Sequence, residues 1–197
     1  MTARRTLLGL TSVGLVALIA IGVRQLPSAS TGGSATTRLS AAQTRALLAD
    51  SPPALAALHA QGGALLEGGA VALHARLGVL KGYPVVINKW ASWCVPCKEE
   101  SVAFQHVAAE YGRRVAFIGI DSEDPKRAEA LAFLKSFPVS YPSYYDRSGS
   151  LGLQLTDSTF RPATLFIPLH GKPYIREGQY PSTAKLSSDV QRYALKG

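Results

Sequence analysis

The stretch Pro84-Val-Val-Ile-Asn-Lys-Trp-Ala-Ser-Trp-Cys-Val-Pro-Cys-Lys-Glu-Glu100 contains both cysteines of a 197-residue chain. Its first half, Pro84 to Ala91, is apolar and β-branched, which predicts a buried strand. From Pro96 to Tyr111 apolar residues recur at helical spacing, and Gly112 ends the run. The Cys-x-x-Cys pair therefore falls where a strand gives way to a helix. At a helix start, unpaired backbone N–H groups and the positive end of the macrodipole favour a thiolate, and Cys94 is placed to use them. Pro96 in the first turn removes no hydrogen bond and stiffens the loop. Cys97, one turn on, is expected to be the more buried of the two. The division of labour that follows is an exposed nucleophile and a sheltered resolving thiol.

Other readings of the pair fit less well. A structural zinc site needs four ligands, and the remaining candidates, His59, His74, His106 and His170, are not paired at metal-binding spacing. Covalent haem attachment would need a histidine where Lys98 stands. An inert disulfide, or two packed thiols in a tethered binding or chaperone-like module, is the structural alternative. No metal and no cofactor beyond a redox-active Cys94–Cys97 disulfide is expected.

The helix carries a second clue. Its apolar face runs through Ala103, Phe104, Val107 and Tyr111, and followed backwards the same stripe reaches Glu100 and Cys97. A carboxylate on the core side would have its pKa raised by desolvation and could accept a proton from Cys97. Against this stands a Glu100 that leans to the rim, pairs with Lys89 or Lys98, and simply suits the helix dipole. His106 points to the opposite face.

Outward from this centre, Arg114 to Ile120 reads as a second buried strand and Pro125 to Phe137 as a second helix, completing a βαβ unit with a parallel strand pair. An irregular tyrosine-rich stretch follows. Ala163 to Pro168 and Pro173 to Glu177 flank His170-Gly171 as a hairpin, and Ser182 to Leu195 closes the chain as a helix. Upstream, Ser40 and Pro53 open two short helices, Ala41 to Asp50 and Pro53 to Gln61, stopped at Gly62-Gly63. The order is β-α-β-α-β-β-α behind an N-terminal region, an α/β protein without visible repeats.

Thr6 to Val23 is an uncharged, mostly apolar run behind Arg4 and Arg5. As a helix it would reach about 27 Å, close to the roughly 30 Å of a bilayer core and beyond the roughly 7–15 residues of a signal-peptide apolar region. A retained anchor over residues 1–24 is expected, with the rest of the chain on the extracytoplasmic side by the positive-inside rule. The alternative is a cleaved leader, for which Pro27 to Ser30 offers small residues and Arg4-Arg5 a partial twin-arginine pattern. Either outcome puts the cysteines where disulfide chemistry is permitted. Residues 25–37, rich in Ser, Thr and Gly, read as a flexible linker. The net charge is +8, of which Arg4, Arg5 and Arg24 supply three, leaving an excess of five on the exported part. Its basic residues are interspersed with acids, as Lys98 is with Glu99 and Glu100, and Lys126 and Arg127 with Glu123 and Asp124. That pattern reads as a solvated surface and gives no track for nucleic acid.

The residues Lys81 to Glu100, the strand Phe117-Ile-Gly-Ile-Asp121 and the segment Phe160-Arg-Pro-Ala-Thr-Leu-Phe-Ile167 together resemble the TlpA/ResA-like family of membrane-anchored thiol-disulfide oxidoreductases, within the thioredoxin superfamily. The resemblance covers about residues 78 to 195. It implies a thioredoxin-like fold over residues 81–197, a central mixed β-sheet flanked by helices, with an N-terminal extension over residues 38–80. It implies Cys94 as attacking and Cys97 as resolving cysteine, and Glu100 as the acidic residue three positions further on. Pro162 is implied to be a cis-proline facing the pair, with Trp93, Pro96, Arg161 and Pro162 forming the substrate-binding rim. Implied partners are proteins with cysteine thiols or disulfides and a membrane redox partner, acting on a monomer. The implied direction is reduction, with apocytochrome c cysteines as candidate substrates; a disulfide-forming oxidant is the nearest alternative, and a thiol peroxidase a more distant one. Two departures stand out. Asn88 occupies the place of the buried Asp of thioredoxins, and Arg161 is bulky and cationic where they have a small apolar residue, so it could lower the Cys94 pKa or select acidic partners.

Overall fold

The computed structural model describes residues 37–196. The anchor expected over residues 1–24, and the linker except its last residue, lie outside these. Among the described residues no helix is long and apolar enough to cross a membrane.

The segment Pro84 to Tyr111 forms strand β2 (Val85–Trp90), every residue of which is buried, followed by helix α4 (Val95–Tyr111). Strand β3 (Ala116–Ser122) pairs parallel to β2, with Trp90 beside Asp121. Helix α5 (Arg127–Ser136) leads to strand β4 (Ser143–Asp146), parallel to β3. Strand β5 (Ala163–Ile167) runs antiparallel on the other side of β2 and carries β6 (Tyr174–Glu177) at the edge. The tyrosine-rich stretch read as irregular thus contains a strand, β4, whose Tyr144 and neighbours are largely buried, and a short helix, α6 (Ser150–Thr156). Helix α7 (Thr183–Asp189), capped by Ser182, widens to a π-helical pitch over Val190–Leu195.

The N-terminal region has more structure than its sequence suggested. Helix α1 (Ala41–Leu48) starts at Ser40, whose hydroxyl accepts from Gln43 N–H while the Gln43 side chain accepts from Ser40 N–H, a reciprocal cap. Helix α2 (Pro53–His59) buries Leu55 and Leu58. Beyond them lie a two-residue strand β1 (Leu65–Leu66) and helix α3 (Gly69–Val79). Strand β1 pairs with β4, so the sheet order is β1-β4-β3-β2-β5-β6 and residues of the extension complete its edge.

Alternation along the central strands divides the core between the two faces. Val86 and Phe117 join Phe104, Val107 and Tyr111 of α4 and Leu186 and Val190 near the C-terminus. Val85, Ile87, Ile118 and Ile120 join Leu55, Leu58, Leu73 and Leu151 on the opposite face. A third cluster surrounds the cysteines and includes Trp90, Ala130, Phe133 and Leu134. There the Trp90 indole stacks on Phe133 with ring centroids 4.4 Å apart and donates to Ser143 Oγ at 3.2 Å. The close approach needs Gly119, because a β-carbon there would collide with both the indole nitrogen and the Ser143 hydroxyl.

Candidate active site

The antiparallel register sets Lys89 opposite Ala163. The chain leaving β2 and the chain entering β5 therefore meet at one end of the sheet, where the Arg161 guanidinium lies over the Trp93 ring. The Arg161–Pro162 peptide bond is cis. Cys94 occupies the N-cap of α4, with extended backbone, and its sulfur accepts from Cys97 N–H at 3.2 Å. Cys94 and Cys97 form a disulfide.

The expected contrast in exposure is absent in this disulfide form, since each cysteine is only 3% exposed. The walls of the third cluster cover both sulfurs alike, and the flanking residues stand clear instead: Trp93 is 50% exposed, Val95 60% and Phe160 66%. Pro96 lies in the first turn of α4.

Glu100 lies on the core side of α4, as the apolar stripe indicated, and is 1% exposed. Neither Lys89 nor Lys98 is its partner. One carboxylate oxygen accepts from Tyr180 N–H at 3.0 Å, and the other has no hydrogen-bond partner. Burial raises its pKa to about 8, against the opposing influence of that backbone bond and of Arg176. Lys89 lies on the other side of the sheet, donating to Thr156 Oγ1 and the Ser158 carbonyl, its pKa lowered by burial and by Arg161. Asn88 and Cys97 line one small cavity of about 20 Å³ together with Trp90, Ser101, Phe104 and Tyr141. His106 bonds the Thr37 carbonyl near the surface.

The reading of Asp124 as part of a solvated charge pattern is overturned, whereas Glu123 is exposed as that reading had it. Asp124 is fully buried and accepts from both Ser92 N–H, at 2.6 Å, and Ser92 Oγ, at 2.8 Å. Glu123 sits in the left-handed region, φ 64°, a conformation costly for a residue with a β-carbon. From there its carbonyl accepts from the Trp93 indole at 3.0 Å, and its carboxylate meets the Arg161 guanidinium at 2.6 Å. Arg161 also donates to the carbonyls of Ser122 and Thr159 and lies over the Trp93 ring, 5.2 Å from its centroid. Its charge is therefore matched within the chain before any partner arrives. The short segment after β3 holds the cysteine loop through Ser92 and Trp93 and the proline loop through Arg161. Sequence reading missed it because a run of Asp, Ser and Glu before a proline looks like any polar turn.

Beneath the same loop lies Asp121, fully buried, with no N–H or O–H directed at either carboxyl oxygen. Burial pushes its pKa up to about 9, with a hydrogen bond to Asp124 and repulsion from Asp124 and Asp146 acting in the same direction.

Comparison with known proteins places this chain in a family. The family model described as Redoxin matches residues 65–170, more than half of the sequence. The chain belongs to the Redoxin family. Within it, the relatives mark a TlpA/ResA-like member of the thioredoxin superfamily. The thiol:disulfide interchange protein DsbE of Allochromatium vinosum is 38% identical over 76 residues, 38% of this chain and 40% of that protein. The thiol-disulfide oxidoreductase ResA of Oceanobacillus iheyensis is 31% identical over 97 residues, 49% and 50% of the two lengths. This redoxin thus spans half or less of the length of these curated relatives. Among solved structures, a DsbF homologue from Corynebacterium diphtheriae superposes with a TM-score of 0.53 at 27% identity, covering 59% of this chain and 75% of that one. The match beginning at residue 65 takes in β1 and α3, in keeping with their place in the sheet.

Proposed function

We propose that this redoxin is an extracytoplasmic thiol-disulfide oxidoreductase, tethered to the membrane through residues 1–24, that reduces disulfides in protein substrates. The observation that carries the reading is the Cys94–Cys97 disulfide at the start of α4 with a water-shielded carboxyl, Glu100, one turn beyond Cys97.

In the reductive half-reaction the Cys94 thiolate attacks a substrate disulfide. One Cys94–substrate S–S bond forms, the substrate S–S bond breaks, and one substrate thiolate leaves. Cys97 then gives its proton to the Glu100 carboxylate and attacks the Cys94 sulfur, closing the enzyme disulfide and expelling the second substrate thiolate. Two electrons pass from enzyme to substrate. In the disulfide state Glu100 is a neutral acid below a pH of about 8, consistent with its holding the proton that Cys97 released. Run backwards, the same acid protonates Cys97 as it leaves. Trp93, Pro96 and Phe160 offer an apolar rim against which an extended cysteine peptide can lie, and the backbone around Arg161 and Pro162 supplies polar groups for it. Apocytochrome c cysteines are the substrates this reading favours, with a membrane dithiol protein as electron donor.

Dithiothreitol-coupled insulin reduction tests the chemistry: the wild type is expected to be active and Cys94→Ser inactive. A wild type without activity would point to a binding module with a structural disulfide. A Cys97→Ser chain in cells should accumulate mixed disulfides through Cys94; trapped proteins found reduced in the wild type and oxidised in its absence fix the direction, and the reverse result identifies an oxidant.

A further inference from the structure

We propose that Asp121 is a positioning residue for disulfide exchange at Cys94: as a neutral acid it donates to the Asp124 carboxylate, which grips Ser92 and thereby fixes the chain two residues before the nucleophile. The proposal rests on the exchange function described above.

Three observations converge on it. Asp121 lies at the end of β3 beside Trp90, the last residue of β2 before the cysteine loop. It is sealed from water, and no protein donor reaches either of its oxygens, so an ionised Asp121 would be an uncompensated buried charge. The acceptor within its reach is Asp124, whose oxygens both take hydrogen bonds from Ser92. One proton on the pair resolves the conflict. It gives Asp121 a partner, removes repulsion, and leaves a single negative charge where Ser92 needs it.

The surrounding charges favour this state. Asp146 at the end of β4 adds to the cost of a second carboxylate, and Asp124 and Asp146 are the charged groups acting on Asp121. On β4, Tyr145 directs its hydroxyl to the Asp124 carbonyl. On α4 the disulfide shares a hydrophobic cluster with Trp90, the neighbour of Asp121 across the β2–β3 pair. Nearby cations are engaged elsewhere: Arg161 by Glu123, Lys126 by Glu129, Arg127 by Glu67, and Lys89 by Thr156 and Ser158. When Asp121 loses its proton, near pH 9, two adjacent carboxylates must separate, and Ser92 is the group that Asp124 carries with it.

The test uses the full-length chain and the rate at which dithiothreitol reduces the Cys94–Cys97 disulfide, followed by tryptophan fluorescence between pH 7 and pH 10. In D121N the amide still donates to Asp124 but cannot ionise. The ratio of wild-type to D121N rate is expected to stay near one at pH 7 and to fall several-fold as the pH passes about 9. D121L, which lacks the donor, should be slow at every pH. An infrared difference spectrum at pH 7 should show a protonated carboxyl band in the wild type that D121N lacks. A rate ratio that is flat with pH, or no such band, overturns the proposal, and neither reading depends on D121L folding. Because dithiothreitol reduces the disulfide without any protein substrate, failure of the insulin assay would remove the proposed function while leaving this result readable.

Discussion

Glu100, on the helix that carries Cys97, and Asp121, beside Trp90 at the end of β3, are both carboxyls closed off from water and pushed toward the neutral acid, but they differ in company. Glu100 has one backbone N–H from Tyr180 and an oxygen without a hydrogen bond, on the helix that carries Cys97. Asp121 has a second carboxylate, Asp124, which is itself tied to Ser92. A neutral acid with a free face can pass its proton to a thiolate and take it back. One whose proton already serves an internal hydrogen bond is suited to holding a loop. Burial alone raises a pKa; the neighbour decides whether the proton is for exchange or for structure.

The largest effect that would break this contrast is kinetic. Glu100→Gln keeps an acceptor for Tyr180 N–H but no longer takes a proton, so the resolving step should slow by about 10²-fold or more while attack by Cys94 is unchanged. Rapid-quench gels would show the mixed disulfide accumulating. Equal slowing of both steps would mean that Glu100 only shapes the site.

Next in size is Asp124→Ala, which removes two charge-assisted hydrogen bonds and leaves a buried Ser92 N–H without its partner. A loss of about 3 kcal/mol is expected, read from denaturant unfolding of the oxidised protein.

The pH dependence of stability separates the two acids more finely. Between about 4.5 and 8 native Glu100 keeps a proton that the unfolded chain releases, so its contribution falls as pH rises, and the fall ends above about 8. For Asp121 the window runs from about 3.8 to about 9. Each group adds at most about 1.4 kcal/mol of lost stability per pH unit inside its window. Glu100→Gln should remove the component that ends near 8 and Asp121→Asn the one that ends near 9. If both substitutions flattened the same interval, the two acids would be one coupled system.

The smallest effect belongs to the proline loop. Arg161→Ala breaks the contacts with Glu123 and the Trp93 ring and the hydrogen bonds to the Ser122 and Thr159 carbonyls, a loss of about 2 kcal/mol. Looser placement of the proline loop should raise KM for a protein disulfide a few-fold with kcat nearly unchanged, measured in the insulin assay.

The contrast also marks where sequence reading succeeds. Glu100 was legible because it lies on a helix whose apolar stripe, from Tyr111 back to Ala103, runs straight through it. The strand Val85–Trp90, the start of α4 and the two cysteines were legible for the same reason, since each follows from local periodicity and capping. Asp121 stood at the end of an apolar strand with nothing to mark its role. Asp124 looked like surface charge, because what buries it is Ser92, brought close only when β2 and β3 pair. Strand β1 has two residues, too few for an alternation to show, and it exists by virtue of β4 beside it. The burial of Cys94 was likewise hidden, as it depends on walls supplied by α5 and the flanking loops.

The antiparallel seam between β2 and β5 bears on how the site comes into being. It joins Lys89 to Ala163, positions far apart along the chain, and such distant pairings close late because the intervening loop must be ordered first. As the chain is synthesised the two thiols emerge well before the segment around Arg161 and Pro162 can dock. A nascent chain ending short of β5 would carry the whole cysteine motif and still lack the strand that pairs with β2. Assembly order thus sets the completion of the site behind the appearance of its thiols.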